Sequence, residues 1–143
     1  VPALRDIDLQ EFQSRQGELD EMIRRRCRHV VSENQRVLDA VKAAQSGDLA
    51  RFGSLMNASH LSLRDDYEVS CRELDAMVEA AWRQDGVLGA RMTGAGFGGC
   101  TVNLVEDDAV AEFLRQVPLA YQQDTALEPQ IYVCSAEDGV RTL

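Results

Sequence analysis

Apolar residues recur at helical spacing from Leu19 to Trp82, and at Asp85-Gly86 that rhythm stops and a run of β-favouring residues begins. A chain built this way has to bury the stripes of several helices and then lay strands against them, which points to an α+β arrangement. Asp8-x-x-Glu11 has the form of a capping box and opens a short helix. Leu19, Met22, Ile23, Cys27, Val30, Val31, Asn34, Val37, Leu38 and Val41 predict a long amphipathic helix ending near Ser46-Gly47. Asp48 caps the next, through Leu49, Phe52, Leu55, Met56 and Ser59 toward Leu63. Ser70-x-x-Glu73 is a second capping box, opening a helix through Leu74, Met77, Val78 and Ala81 to Trp82.

Beyond Gly86, Val87–Met92 and Cys100–Val105 predict two strands. Asp107 or Asp108 caps a helix carrying Val110, Phe113, Leu114 and Val117, which Pro118 is expected to end or bend, and Gln130–Cys134 predicts a final strand. The fold class is therefore α+β: N-terminal helices followed by a small antiparallel sheet with helices on one face, ferredoxin-like, in one domain over residues 1–143.

Charge narrows the partners. With 15 basic against 24 acidic residues the net charge is -9, which opposes nucleic acid and anionic membrane as partners. The densest basic stretch, Arg24-Arg25-Arg26-Cys27-Arg28-His29, reads as a solvated helix face. Cys27, Cys71, Cys100 and Cys134 lie far apart with no C-x-x-C pair, so they read as reduced core thiols, with no zinc site or disulfide scaffold expected. The N-terminus has neither the basic start nor the apolar stretch of a signal peptide, and a cytoplasmic setting is expected. The chain opens on Val1 without an initiator methionine, as a piece of a longer polypeptide would, and as a processed or engineered terminus would too.

Four of the ten glycines fall within Gly94-Ala95-Gly96-Phe97-Gly98-Gly99. The run satisfies G-x-G-x-x-G, but a dinucleotide site needs the last glycine to open a helix, and Thr101-Val102-Asn103-Leu104-Val105 follows instead. No Gly-Lys-Ser/Thr follows either, which excludes a Walker A loop. A plain two-residue hairpin needs fewer glycines than this. A stretch of nearly Cβ-free backbone can turn successive N–H groups toward an anion or let another loop pack closely. On these residues alone, a ligand-facing loop and a structural turn stand level.

Arg91-Met92-Thr93-Gly94-Ala95-Gly96-Phe97-Gly98-Gly99-Cys100 closely resembles the third, C-terminal glycine-rich motif of galactokinases, within the GHMP kinase superfamily. The resemblance extends to Ser59-His60-x-Ser62-Leu63-Arg64-Asp65-Asp66-Tyr67-Glu68-Val69-Ser70-Cys71-x-Glu73-Leu74-Asp75 and to Arg28-His29-Val30-Val31-x-Glu33. It implies a two-domain enzyme that moves the ATP γ-phosphoryl group to the anomeric hydroxyl of galactose with Mg²⁺. The family's galactose signature, ATP loop and proton-transferring residues belong to the N-terminal half. The chain is accordingly expected to be the C-terminal domain, with the N-terminal domain as its partner. It would carry no catalytic residue and no metal site, would be inactive alone, and would hold neither ATP nor Mg²⁺ tightly alone.

The resemblance makes Thr93, Gly94, Ala95, Gly96, Phe97, Gly98 and Gly99 a wall of the phosphate and sugar pocket. Ser62, Arg64, Asp65, Asp66 and Arg91 are expected to support the cleft, with Arg91 paired to one of the neighbouring carboxylates. Adjacent aspartates point in different directions, which argues against a metal at His60, Arg64, Asp65 and Asp66. His29 and Trp82 read as helix-packing residues, and Cys100 as a small core residue starting a strand. The alternative is a free-standing α+β module that binds a small anionic metabolite through the glycine loop.

Overall fold

In the computed structural model, which describes residues 3–135, three helices begin alike. Asp8, Asp20 and Asp48 each accept the N–H three residues on, at 2.8, 3.0 and 2.9 Å, and thereby start α1 (Leu9–Arg15), α2 (Glu21–Ser46) and α3 (Leu49–Ser62). Gly47, left-handed at φ 71°, closes α2. At its end α3 widens into a π-helical turn, Leu63–Tyr67, after which Glu68 takes a left-handed conformation and the chain extends to α4 (Arg72–Trp82). Cys71 is the N-cap of α4; Ser70 is not, because its hydroxyl bonds Asp75 Oδ1 at 2.5 Å.

β1 (Val87–Thr93) and β2 (Cys100–Val105) form an antiparallel hairpin in the expected place, with Arg91 opposite Val102 and Thr93 opposite Cys100. Neither Asp107 nor Asp108 caps the next helix by its side chain; a 3-10 turn, Asp107–Ala109, leads into α5 (Val110–Thr125). Pro118 lies inside α5 without ending it. Gln130–Cys134, expected as a strand, is not one. Ile131 turns into the core, while Tyr132 and Val133 are 78% and 65% exposed, and the outer edge of β1 is already occupied by α3. The run makes no ladder with either strand, and β-favouring residues that pair with no edge form no strand.

The central core gathers Val78, Ala80 and Ala81 of α4, Ala90 of β1, and Phe113 and Val117 of α5. Close approach fixes the other side of β1. A Cβ on Gly53 of α3 would stand 2.1 Å from Leu88 O, and one on Gly89 would stand 2.4 Å from Gly53 O, so helix and strand touch backbone to backbone only because both positions lack one.

The predicted stripe of α2 is buried only in part. His29, Val31 and Ala43 are buried, but Met22, Ile23, Val37, Leu38 and Val41 are exposed. Periodicity identifies an apolar face without saying what covers it. The thiols also depart from a core reading: Cys27 and Cys71 are half-buried, and Cys100 and Cys134 are exposed. Cys100 pairs with Thr93 at the last rung of the hairpin, outside the layer packed against α4 and α5. Among the described residues no helix is long and apolar enough to cross a membrane.

Candidate functional site

The glycine run is a loop between β1 and β2 with an unusual backbone. Gly94, Gly96, Phe97, Gly98 and Gly99 all have positive φ, from 60° at Phe97 to 132° at Gly98. Gly96 is the position where space is also decisive, because a Cβ there would stand 2.1 Å from Val69 O and 2.9 Å from Met92 Cε. Among the described residues, and apart from their own chain neighbours, Gly94, Gly98 and Gly99 have no atom within 4 Å of where a Cβ would be. The loop is thus tight against the protein at Gly96 and open on its other side. Phe97 donates its N–H to Val69 O at 2.7 Å while its side chain is 75% exposed. The ≈ 340 Å³ cavity between α2, α3 and the hairpin is lined by Arg91 and Thr93 but by no residue from Gly94 to Gly99.

Behind the loop, the run from Ser62 to Ser70 is clamped by the basic stretch of α2, which is not merely a solvated face. Arg25 bonds Asp65 O at 3.3 Å and Glu68 Oε1 at 2.6 Å; Arg26 bonds Asp66 O and Glu68 Oε2; Arg28 reaches Asp66 Oδ1 at 3.1 Å. These contacts offset the positive φ of Glu68 and satisfy carbonyls that the wide turn frees. Arg26 and Arg25 hold the Glu68 carboxyl below its usual range.

The expected support residues divide between two sets. Ser62 gives its hydroxyl proton to Asp66 Oδ2 at 3.2 Å, so His29, 3.0 Å away through Nδ1, donates to Ser62 Oγ. His29 is buried and stacks on Tyr67 with ring centroids 4.5 Å apart. Arg64 pairs with Asp65 at 2.7 Å and lies 3.5 Å from Glu79, and the Arg64 hydrogen bond lowers the Asp65 pKa. Arg91 joins neither Asp65 nor Asp66. Its guanidinium lies 3.7 Å from Glu33 of α2 and its Nε bonds Met92 O, because it projects from the face of β1 opposite Ala90 and Met92, toward the α2 side.

Two residues that the sequence does not assign to the loop hold the strand that leads into it. Asn57 Oδ1 accepts both Trp82 Nε1–H at 2.6 Å and Ala90 N–H at 2.8 Å. His60, fully buried, accepts Met92 N–H through Nδ1 at 3.3 Å. Their spacing on α3 is one helical turn, but nothing local reveals that a strand edge lies opposite. Burial lowers the pKa of both His29 and His60 below the usual imidazole value of 6.5.

The loop leaves backbone open, whereas the carboxylates behind it are already paired. Among the loop amides, Phe97 N–H has a backbone acceptor among the described residues, and the open side of Gly94, Gly98 and Gly99 leaves backbone accessible. The carboxylates of Asp65, Asp66 and Glu68 are each engaged by arginine. Among the described residues no three His, Cys, Asp or Glu side chains gather as a metal site.

Comparison with known proteins adds four likenesses. The family model described as GHMP kinases C terminal matches residues 40–123. A galactokinase of Clostridium beijerinckii is 48% identical over 144 residues, covering 100% of this chain and 37% of the relative, so the chain spans little more than a third of that protein's length. The crystal structure of Lactococcus lactis galactokinase complexed with galactose superposes with a TM-score of 0.86 at 46% identity, over 90% of this chain and 33% of that one. L. major mevalonate kinase in complex with R-mevalonate superposes at 0.62 with 25% identity, over 87% of this chain and 37% of that one.

Proposed function

The chain belongs to the C-terminal family of the GHMP kinases, and from that premise we propose that it is the C-terminal domain of a galactokinase, which transfers the ATP γ-phosphoryl group to the C1 hydroxyl of galactose. The observation that carries the reading is the likeness over nine-tenths of the chain to a solved galactokinase that holds galactose.

Phosphoryl transfer is chiefly positioning and charge stabilisation. ATP supplies the phosphoryl group when bound, with Mg²⁺ as its companion. The share of Thr93, Gly94, Ala95, Gly96, Phe97, Gly98 and Gly99 is to form one side of the phosphate and sugar pocket, where backbone N–H groups face the anion and the missing Cβ atoms leave room. Ser62, Arg64, Asp65 and Asp66 hold the turn behind the loop, and Arg91 braces β1 against α2. No residue of this chain moves a proton in the reaction. The arginine-paired carboxylates do not fit a metal, so Mg²⁺ takes its ligands elsewhere.

Residues 1–143 act as one domain, and the N-terminal domain of the same enzyme is its partner. Exposed Val37, Leu38 and Val41 on α2 support the presence of further polypeptide against this unit. The cysteines, free in this structure, suit a reducing cytoplasm.

The test is ATP-dependent formation of galactose 1-phosphate by the full-length protein and by this chain alone. Turnover by the first and none by the second is expected; turnover by the chain alone would refute the assignment of catalysis to the other half. Submillimolar binding of inorganic phosphate to the isolated chain would instead favour a self-sufficient anion-binding module.

A further inference from the structure

Strand β1 has two edges, and only one is bonded to β2. On the other, the N–H groups of Ala90 and Met92 point at α3, where Asn57 Oδ1 and His60 Nδ1 accept them. Gly53, Asn57 and His60 lie in a row on α3, and Leu88, Ala90 and Met92 are the alternate residues of the strand that they meet. A helix here takes the place of a neighbouring strand. Met92 is the last of these rungs, one residue before Thr93, and its Cε lies under Gly96. The height of Met92 therefore sets where the glycine loop leaves the sheet.

The His60 contact is conditional on the state of the ring. Nδ1 accepts the Met92 N–H only when it carries no proton, so the proton of the neutral ring lies on Nε2. Nε2 is 3.3 Å from Asp75 Oδ1, outside good hydrogen-bond geometry but beside its charge, and Trp82 meets the ring edge-on at 5.6 Å. Asp75 in turn takes the hydroxyl of Ser70, whose neighbour Val69 accepts Phe97 N–H. One short stretch, Val69-Ser70, thus reaches the loop directly at Phe97 and, through Asp75, comes beside His60, which holds Met92 just before the loop.

We propose that His60, with the Asp75 carboxylate beside its Nε2, is a positioning residue of the glycine loop, holding Met92 N–H in place of a strand and setting the height at which Thr93–Gly99 faces the cleft. This deepens the reading of the loop as a phosphate-facing wall and rests on it. Leucine at this position fills the space but offers no acceptor. In the full-length protein, His60→Leu lowers kcat about tenfold or more with KM for galactose changed less than about threefold, since misplacement is felt in the transition state. His60→Asn, whose amide oxygen stands near the place of Nδ1, recovers most of that loss. A merely structural His60 would lower melting temperature and yield but leave kcat per folded molecule unchanged, and that result in folded His60→Leu overturns the proposal.

If His60→Leu does not fold, the wild-type full-length protein decides. Imidazole ¹⁵N NMR is expected to show the Nε2–H tautomer, with slow hydrogen exchange at the Met92 amide; the Nδ1–H tautomer or a charged ring at pH 7 overturns the proposal. A wild-type protein that does not phosphorylate galactose refutes the galactokinase reading, while the tautomer and exchange measurements still judge the His60 contact on their own.

Discussion

The glycine loop and the turn that backs it are similar in length and opposite in construction. The loop from Gly94 to Gly99 gains its shape from missing side chains and touches the chain closely at one glycine. The turn from Leu63 to Glu68 has no glycine, and its strained backbone is held by three arginines of α2. One can be altered only where room exists; the other can lose single contacts and keep the rest. Under the proposed function the loop has to admit a ligand and cannot be filled with side chains, so its rigidity comes from behind.

The sharpest way to break this comparison is at Gly96. Gly96→Val places a Cβ against the Val69 carbonyl at a positive φ, and a cost of about 3 kcal/mol or more is expected from clash and strain together. Gly98→Ala meets strain without a clash, about 1–2 kcal/mol, so in the full-length protein it should reduce turnover more than stability. Chemical denaturation paired with initial rates separates the two; equal stability losses would dissolve the distinction between the tight and open sides of the loop.

Asn57→Ala tests the edge of β1. It leaves Trp82 Nε1–H and Ala90 N–H without their acceptor, and about 2–4 kcal/mol of stability should vanish, an effect that thermal unfolding would register at once. A change under about 0.5 kcal/mol would mean that water replaces the amide without penalty.

Acid should come next. His29 and His60 have lowered pKa values, so below about 6.5 the unfolded chain takes up protons that the folded one refuses, and stability falls as pH drops from there through the folded values. His60 is faced by Asp75 and Glu79 of α4, by Arg64 after α3 and by Arg91 of β1; His29 by Glu33, Arg36, Asp66 and Arg91. Asp65 and Glu68, whose pKa values are also lowered, stabilise the fold at higher pH and lose that contribution only below their usual values of 3.8 and 4.5. Denaturation midpoints at pH 7 and 5.5 would therefore differ through the histidines, and identical midpoints would refute their neutral, buried state.

The smallest effect belongs to Glu68→Gln. It weakens one exposed carboxylate among several contacts on the turn, and the resulting shift in melting temperature should fade at high salt.

Helix starts were legible because Asp8, Asp20 and Asp48 cap by contacts three residues long, although only two of those caps were read from the pattern. The hairpin was legible for the same reason, since β1 and β2 are neighbours in sequence as well as in space. Gln130–Cys134 misled because β-favouring residues say nothing about whether an edge is free. Arg91 found Glu33 rather than Asp65 or Asp66, and the arginines of α2 found the turn, through contacts 38 to 58 residues apart in sequence that no local pattern encodes.

The amino-acid order by itself determined the helices, the hairpin, the exclusion of a dinucleotide loop and the family, because each depends on neighbours along the chain. Tertiary structure alone decided that α3 closes the edge of β1 through Asn57 and His60, and that the α2 stripe stays partly uncovered. Burial and hydrogen-bond satisfaction are settled by which surfaces meet in space, and a linear pattern carries only the tendency of each surface to seek a partner.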